Sequence, residues 1–326
     1  MTELIAARRA STGTRFEELR EHLEDARERS SGKACVYVIG SFARGEASAH
    51  SDLDLFIVGY GKDAGPRYLS GLDAICIKAD LIKATRQLGI PEFSGDGEYL
   101  EHYAIADLIK ALGRPEDDAN NTFTARMLLL LESKPLIGSD VHADAIDRVL
   151  EQYWRDYEDH KDGFIPAFLA NDILRMWRTF CVNYEARTQT DPPERKAKRK
   201  LKNYKLKHSR LLTCYSALAY LSTVYARAKT VNPDDAKEMA GRMPLERLEW
   251  IAEQGSSDAE RIVSRILEAY EAFLRETDAP ETELIELFMG PKRTRELPDA
   301  NALGNLMAEL LAAVGGSSRF HRLLLV

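Results

Sequence analysis

The sequence predicts an α+β protein, with a small α/β domain over residues 1–140 and an all-α helical domain over residues 141–326. Two short apolar runs, ACVYVIG at 34–40 and LDLFIVGY at 53–60, have the length and the β-branched and aromatic content of buried strands. From about residue 143 onward, apolar residues recur at helical spacing. The helices predicted there span 143–160, 165–187, 198–228, 234–253, 257–277, 281–289 and 300–314.

Helices and a further strand are also predicted around the two strands of the first domain. Residues 13–30 form an amphipathic pattern, and residues 70–89 repeat apolar side chains at helical spacing and end in a glycine. Residues 90–96 are expected to form a third strand or an extended edge. The segments 97–113 and 122–140 are helical in pattern. The apolar face predicted for 70–89 comprises Leu72, Ile75, Cys76, Ala79 and Ile82.

The composition is that of a soluble globular protein, with 44% hydrophobic and 30% charged residues. The charged N-terminal segment does not resemble a signal peptide. The longest uncharged stretch, 211–226, is shorter than the ~20 apolar residues of a membrane-spanning helix, so we expect a buried helix there. Four scattered cysteines lack metal-binding spacing and predict reduced thiols. We therefore expect a cytoplasmic protein without a membrane partner.

The charge is unevenly distributed along the chain. The net charge is −7, but residues 195–210 contain nine Lys or Arg and no acidic residue, which leaves 36 basic against 52 acidic residues elsewhere. The remainder of the chain therefore carries −16. Such a local excess indicates an anionic partner for this segment rather than general adhesion to nucleic acid.

The segment between the two predicted strands carries the chemistry. Gly40 and Ser41 follow the first strand, and Asp52 and Asp54 stand one residue apart at the start of the second. Alternate residues of a strand point to the same face, so both carboxylates are expected to lie side by side. Adjacent carboxylates repel each other, and a bound cation relieves that repulsion. The spacing therefore predicts a divalent metal site.

The string Gly40-Ser41-x-Ala43-Arg44-Gly45-Glu46, followed by Ser51-Asp52-x-Asp54-Leu55, resembles the signature of the DNA polymerase β-like nucleotidyltransferase superfamily. This resemblance implies a polymerase β-like palm that uses a nucleoside triphosphate and Mg²⁺ or Mn²⁺. Oxygen ligands suit Mg²⁺, and two such ions activate the attacking oxygen and stabilise the leaving one. Asp52 and Asp54 are the expected metal ligands. The expected contacts of the triphosphate are Gly40, Ser41, Arg44 and Ser51, although Arg44 also suits an exposed turn.

The superfamily usually adds a third carboxylate on the following strand, which completes the metal site and accepts the proton of the acceptor. Asp96 lies where that strand is expected, and we assign it this catalytic and metal-binding role. Glu92, Asp80 and Asp73 are the alternatives. An aspartate before Gly97 also suits a turn.

A looser resemblance extends to residue 140. The run Leu130-Leu131-Glu132-Ser133-Lys134-Pro135-Leu136-Ile137-Gly138-Ser139-Asp140 is similar to a segment of two bacterial protein-modifying enzymes, the uridylyltransferase of the PII regulator and the adenylyltransferase of glutamine synthetase. The helical half departs from those enzymes, because it has no H-D hydrolase motif. The resemblance therefore does not imply that this chain modifies the protein substrates of those enzymes.

The basic run has two interpretations. Lys205, Lys207 and Arg210 precede the apolar helix and are expected to neutralise the triphosphate or an RNA backbone. Tyr204 would then stack on a base or pack in the core. The alternative is a charged surface exposed to solvent.

These features predict a Mg²⁺-dependent nucleotidyltransferase that moves a nucleoside monophosphate from a triphosphate to an acceptor and releases pyrophosphate. The acceptor is open between a protein hydroxyl, a small molecule, an RNA end and a second nucleotide. The alternative is a catalytically silent nucleotide-binding interaction module, as part of a toxin–antitoxin or phage-defence system.

Overall fold

The computed structural model describes residues 3–93, 100–185, 192–290 and 300–325. The chain forms two compact units. One comprises Ala6–Arg155, and the other comprises Met1–Ile5 with Asp156–Val326. The first unit contains the sheet and the second is helical, in agreement with the predicted α+β nucleotidyltransferase-type domain followed by an all-α region.

The first unit is built on a four-stranded sheet with the order β3-β2-β1-β4. β1 pairs antiparallel with β2 and β4, and β2 pairs parallel with β3. Every residue of β1 is buried, which is typical of a strand covered on both faces. Both strands predicted from the apolar runs are confirmed. The strands span Ala34–Ile39 (β1), Asp54–Gly59 (β2), His102–Ala104 (β3) and Lys134–Ile137 (β4).

The other two strands correct the sequence-based expectation. Of the third strand or extended edge predicted at 90–96, residues 90–93 form no strand, and residues 94–96 lie outside the described residues. The patterns interpreted as helices at 97–113 and 122–140 form the helices Ile105–Lys110 and Thr122–Leu131, but they also contain the short strands β3 and β4. Both are short edge strands whose pairing is decided by distant residues. Pro135 in β4 sits beside a register shift, where its missing N–H is tolerated.

Helices cover the sheet of the first unit. The predicted helix 13–30 is broken at residues 22–23, where His22 N donates to Leu19 O and tightens the last turn. The helices span Glu3–Glu21 (α1), Glu24–Ser30 (α2), Gly40–Arg44 (α3), Gly71–Gln87 (α4), Ile105–Lys110 (α5), Glu116–Ala119 (α6), Thr122–Leu131 (α7) and Ser139–Tyr153 (α8). The boundary predicted after residue 140 falls within α8, and the break between the compact units comes later, after Arg155.

α4 buries the opposite face from the one predicted. Leu72 is 77% exposed and Ile75 is 62% exposed. The helix has two apolar stripes, and periodicity alone does not tell which one packs against α2. The residues that it buries are Ala74, Ile77, Leu81, Ala84 and Thr85.

A fully buried ion pair fastens α6 to α7. Arg126 Nη1 and Nη2 bind the two oxygens of Asp117 at 2.8 and 2.5 Å. Thr122 Oγ1 donates to the same carboxylate at 2.8 Å, and Arg126 Nε lies 3.1 Å from the Tyr153 hydroxyl on α8. Because each charge is matched by oriented hydrogen bonds, the pair is retained in the core and ties three helices together.

The second unit is helical in its described residues. The predicted helix 234–253 is broken before Pro244, because proline begins a helix far better than it continues one. Pro193 likewise begins a helix inside the predicted loop 188–196. The helices span Ala167–Glu185 (α9), Pro193–Lys205 (α10), Leu211–Ala228 (α11), Pro233–Gly241 (α12), Pro244–Gln254 (α13), Ser257–Glu276 (α14), Glu281–Met289 (α15), Ala300–Gly315 (α16) and Arg319–Leu325 (α17).

α11 is the central helix of this unit. It is buried on almost all sides and packs against α9, α13 and α16, which confirms the buried helix expected at 211–226. A π-helical turn, Leu206–Arg210, joins it to α10. No helix in the described part of the chain is both long and apolar enough to cross a bilayer.

His142 of α8 is buried beneath the sheet of the first unit. Its Nε2 lies 2.8 Å from Ser133 Oγ, and its ring lies 5.8 Å from that of Tyr37 on β1. Burial lowers the pKa of His142 from 6.5 to about 4. The neutral imidazole therefore belongs to the folded state, whereas the unfolded chain binds a proton below pH 6.5.

We predict that this histidine contributes to acid destabilisation. Its contribution is fully present above pH 6.5 and is lost as the pH falls towards 4, by about 3 kcal/mol at most. Urea unfolding at each pH measures this effect. Between pH 6.5 and 4, the free energy of unfolding of the wild type should fall relative to that of His142→Gln. Between pH 7 and 8 the difference should be constant. A difference independent of pH from 7 to 4 would contradict the prediction.

Candidate functional site

The turn between β1 and α3 brings the two halves of the motif together. Gly40 has φ +69°, a left-handed conformation that favours glycine. Ile39 is paired with Asp54 in the sheet, and a Cβ on Gly40 would lie 3.1 Å from Asp54 Oδ2. A larger residue at position 40 would therefore be strained and would crowd the carboxylate. The left-handed backbone and the nearby Asp54 carboxylate therefore both require glycine at position 40.

The two aspartates lie at the exposed end of the buried core. Asp52 and Asp54 are half-buried, whereas Leu53 and Leu55 between and beyond them are buried. The strand itself begins at Asp54, so Asp52 precedes it, contrary to the expectation that both lie on the strand. The half-buried carboxylates still alternate with buried leucines, as the sequence predicts. Ser41 is half-buried, and its hydroxyl makes no hydrogen bond to the part of the chain that the structure describes.

A buried carboxylate from a distant segment holds the Gly40 turn. Glu132, at the end of α7, is fully buried, and its Oε1 accepts the Gly40 N–H at 2.7 Å. Its Oε2 lies 3.0 Å from Nη1 of Arg44. Nε of Arg44 in turn binds Glu46 at 2.8 Å. We call Arg44, Glu46 and Glu132 the buried ion cluster. It links β1, α3 and the end of α7.

Arg44 differs from both sequence-based expectations. Its side chain is buried, so it is not an exposed turn arginine. Its guanidinium binds two carboxylates, Glu46 and Glu132, and this engagement argues against the expected contact with phosphate. The structure gives Arg44 a positioning role beneath the turn.

The loop between the turn and β2 is held by α1. Nη1 of Arg8 donates to Glu46 O at 3.0 Å, and Nη1 of Arg15 donates to Ser48 O at 2.7 Å. Ser51 Oγ accepts the Ser48 N–H at 3.0 Å and closes the loop. Sequence reasoning missed both arginines. Their seven-residue separation, which places them on one face of α1, is the signal that could have found them.

The third carboxylate was predicted at Asp96, which lies outside the described residues. Two alternatives are placed elsewhere. Asp73 lies near Lys33, which precedes β1, whereas the Gly40 turn follows the other end of that strand. Asp80 lies 3.9 Å from Arg29 on α2. Glu92 is exposed and pairs with Arg86. Among the described residues, no group of three potential metal-ligating side chains comes together.

The candidate residues of the basic run lie in the second unit. Lys205 is exposed, whereas Lys207 and Arg210 are half-buried, and the Arg210 guanidinium lies 5.6 Å from the Phe180 ring centre. Tyr204 is buried, and its ring packs against Phe273 and Phe288. Tyr204 is thus a core residue, and the alternative of base stacking is set aside.

The family model of the nucleotidyltransferase domain matches residues 19–119. This part of the chain is similar to a nucleotidyltransferase domain. The match includes the Gly40 turn, Asp52 and Asp54, and it is consistent with the polymerase β-like superfamily. A search of curated proteins returns no match to the chain. The similarity to the PII uridylyltransferase and the glutamine synthetase adenylyltransferase therefore remains a resemblance of sequence.

The nucleotidyltransferase domain depends on residues beyond the matched range. Glu132 and β4 follow residue 119, and the compact unit extends to Arg155. Arg8 and Arg15 precede residue 19 and hold the loop that leads to Asp52. The geometry of the motif is therefore set by segments on both sides of the matched range.

We predict that Glu132→Gln lowers the free energy of unfolding by about 3 kcal/mol. The amide keeps an oxygen for the Gly40 N–H but removes the charge opposite Arg44, and breaking a buried ion pair costs about 3–5 kcal/mol. Arg44 retains Glu46, so the lower end applies. Urea unfolding measures the change. Exposed Glu17→Gln is the control and should stay within about 0.5 kcal/mol. Equal stability of the two variants would contradict the role of the cluster.

Proposed function

We propose that this protein transfers a nucleoside monophosphate from a triphosphate to a hydroxyl acceptor in a reaction that depends on Mg²⁺ or Mn²⁺. The observation that carries the proposal is the contact between the two halves of the motif, with Gly40 opposite Asp54. The nucleotidyltransferase family match supports the general reaction class. Pyrophosphate is the product that leaves.

The residues present fit a divalent cation. Two half-buried carboxylates, Asp52 and Asp54, supply the hard oxygen donors that Mg²⁺ and Mn²⁺ prefer. Gly40 leaves open the space beside Asp54 Oδ2 that a Cβ would fill. Asp96 is proposed as a third donor. A bound cation would polarise the phosphate and stabilise the charge that develops on the leaving oxygen.

The chain's own residues would position the triphosphate. Gly40 allows close approach of the backbone, and the Ser41 hydroxyl donates to a phosphate oxygen. A bond forms between the acceptor oxygen and the α-phosphorus, and the bond from that phosphorus to the β-phosphate oxygen breaks. The acceptor's proton passes to the carboxylate proposed at Asp96. Because the Gly40 amide is already bound by Glu132, Ser41 is the proposed donor at this turn.

We predict that Asp52→Asn and Asp54→Asn each lower transfer by at least ~100-fold, because even the loss of an outer-shell partner of a metal costs 10- to 100-fold. Transfer is measured with triphosphates labelled at the α-phosphate, Mg²⁺ and cell extract, which also identifies the labelled acceptor. The melting temperature should not fall, because removing one of two adjacent carboxylates relieves repulsion.

Two further variants complete this experiment. Asp96→Asn should also abolish transfer, whereas Glu92→Gln, which alters an exposed surface pair, should not. Undiminished transfer by either Asp52→Asn or Asp54→Asn would refute the proposed reaction. Nucleotide binding without transfer in the wild type would favour a silent nucleotide-binding module instead.

The second unit is proposed to contribute positive charge to triphosphate binding. Reversing Lys205, Lys207 and Arg210 to glutamate should weaken binding of the Mg²⁺–triphosphate complex at least ~10-fold, because each lost charge-assisted bond is worth about 1.5–3 kcal/mol. Calorimetric titration measures the affinity. The charge-matched control reverses the exposed residues Lys196, Lys198 and Lys200. Equal affinities in the two variants would show that the triphosphate is not bound by this part of the run.

A further inference from the structure

Arg15 of α1 contacts both the Gly40 turn and the loop that leads to Asp52. Its guanidinium carbon lies 4.7 Å from the ring centre of Phe42 on α3. Its Nη1 donates to Ser48 O in the loop at 2.7 Å. A single cation therefore lies where these two segments meet, although it precedes the range that the family model matches.

Two of the three nitrogens of this guanidinium are unused. Nε and Nη2 of Arg15 make no hydrogen bond to the part of the chain that the structure describes, and no carboxylate in that part pairs with the side chain. The side chain is half-buried. Burial lowers the pKa of Arg15, and the charge of Glu18 offsets this only in part. The guanidinium stays protonated, so an anion beside it would be stabilised.

Arg20 of the same helix shows how a structural arginine is bound in this unit. Its guanidinium carbon also lies 4.7 Å from a phenylalanine ring centre, that of Phe16. All three of its nitrogens are used, however. Nε and Nη2 donate to carbonyls of β4 at 3.1 and 2.9 Å, and Nη1 donates to Glu17 at 3.0 Å. Stacking and support of the backbone therefore do not account for the two unused nitrogens of Arg15.

The cation that the sequence predicts for phosphate binding is engaged elsewhere. Arg44 is buried and bound by Glu46 and Glu132. A triphosphate at the Gly40 turn would therefore draw positive charge from another residue. Nε and Nη2 of an arginine lie on one edge of the planar guanidinium, and such a fork matches two oxygens of a phosphate. Arg15 presents this edge without a described partner.

The position of Arg15 suits the outer phosphates of a triphosphate. The α-phosphate, at which the new bond forms, would lie at the cation proposed beside Asp52 and Asp54. The contacts of Arg15 are instead with the segments that carry Ser41 and Ser51, the residues expected to touch the triphosphate. An anion bound by Arg15 would therefore be the part of the triphosphate beyond the α-phosphate.

We propose that Arg15 binds the β- and γ-phosphates of the triphosphate through Nε and Nη2, while Nη1 continues to hold Ser48. Pyrophosphate leaves from this position, and a fixed positive charge there stabilises the negative charge that it gains. The proposal rests on the proposed function, because that function makes a triphosphate the ligand.

The test compares Arg15→Gln with Arg20→Gln in the full chain. Both variants lose a guanidinium of α1 that stacks on a phenylalanine and donates to a backbone carbonyl. Calorimetric titration with Mg²⁺ and without an acceptor measures the affinity for inorganic pyrophosphate. It also measures the affinity for ATP, CTP, GTP and UTP, and for the monophosphate of whichever triphosphate binds best. The melting temperature reports any loss of folding.

Arg15→Gln should weaken the binding of triphosphate and pyrophosphate at least ~10-fold, because a hydrogen bond to a charged group contributes that much or more. It should change the affinity for the monophosphate by less than ~3-fold, since that ligand lacks the outer phosphates. Arg20→Gln should leave all of these affinities within the same ~3-fold. Arg15→Lys keeps the charge but loses the fork, so its affinity for triphosphate should fall between those of the wild type and Arg15→Gln.

Equal weakening of triphosphate and monophosphate binding by Arg15→Gln would show that Arg15 only holds the loop, and would overturn the proposal. Unchanged affinity for triphosphate would overturn it as well. If Arg15→Gln does not fold, Arg15→Lys decides, and its affinity must fall more for triphosphate than for monophosphate. Triphosphate binding without transfer in the wild type would refute the proposed reaction alone. Transfer by the wild type with unaltered binding by Arg15→Gln would refute the role of Arg15 alone.

Discussion

The Glu132 carboxylate is the constraint on which the motif depends. Gly40 adopts a left-handed turn opposite Asp54, and the Glu132 side chain both accepts its N–H and pairs with Arg44. A buried carboxylate is tolerated only when its charge and lone pairs are satisfied, so these partners fix one another's positions. α7 can carry Glu132 to this point because the Asp117–Arg126 pair anchors the middle of the helix. The geometry beside Asp54 therefore depends on Glu132, which lies 92 residues after Gly40 in the sequence.

Burial separates the carboxylates of the motif from those of the buried ion cluster. Asp52 and Asp54 stay half-exposed, where the proposed cation and triphosphate would have access to them. Glu46 and Glu132 are buried and bound to Arg44, and their role is to hold the backbone. α1 adds a second support, because Arg8 and Arg15 bind carbonyls of the loop that leads to Asp52. The motif is short and local in the sequence, but residues near both ends of the first unit hold it in place.

The helical unit shows how one charged segment combines structure and surface. Leu201 and Tyr204 join the core, while other residues of α10 are exposed cations, among them Arg195, Lys198, Lys202 and Lys205. The π-helical turn at 206–210 separates this helix from the buried α11. Such turns insert an extra residue and change which side chains share a face. Lys207 and Arg210 are consequently half-buried, unlike Lys202 and Lys205, which precede them and are exposed.

The sequence by itself determined the α+β class, β1, β2 and most helices of the second unit, because these follow from local periodicity. It also singled out the compact motif of Gly40, Ser41, Asp52 and Asp54, on which the proposed function rests. Only the tertiary structure decided the edge strands β3 and β4, the buried face of α4 and the burial of Arg44. Each of these depends on a distant partner. A three-residue strand has no periodicity of its own, and a helix with two apolar stripes is oriented by its neighbour. An arginine beside a glycine turn has the same sequence whether it binds phosphate or Glu132, and only the fold that brings Glu132 to it decides between them.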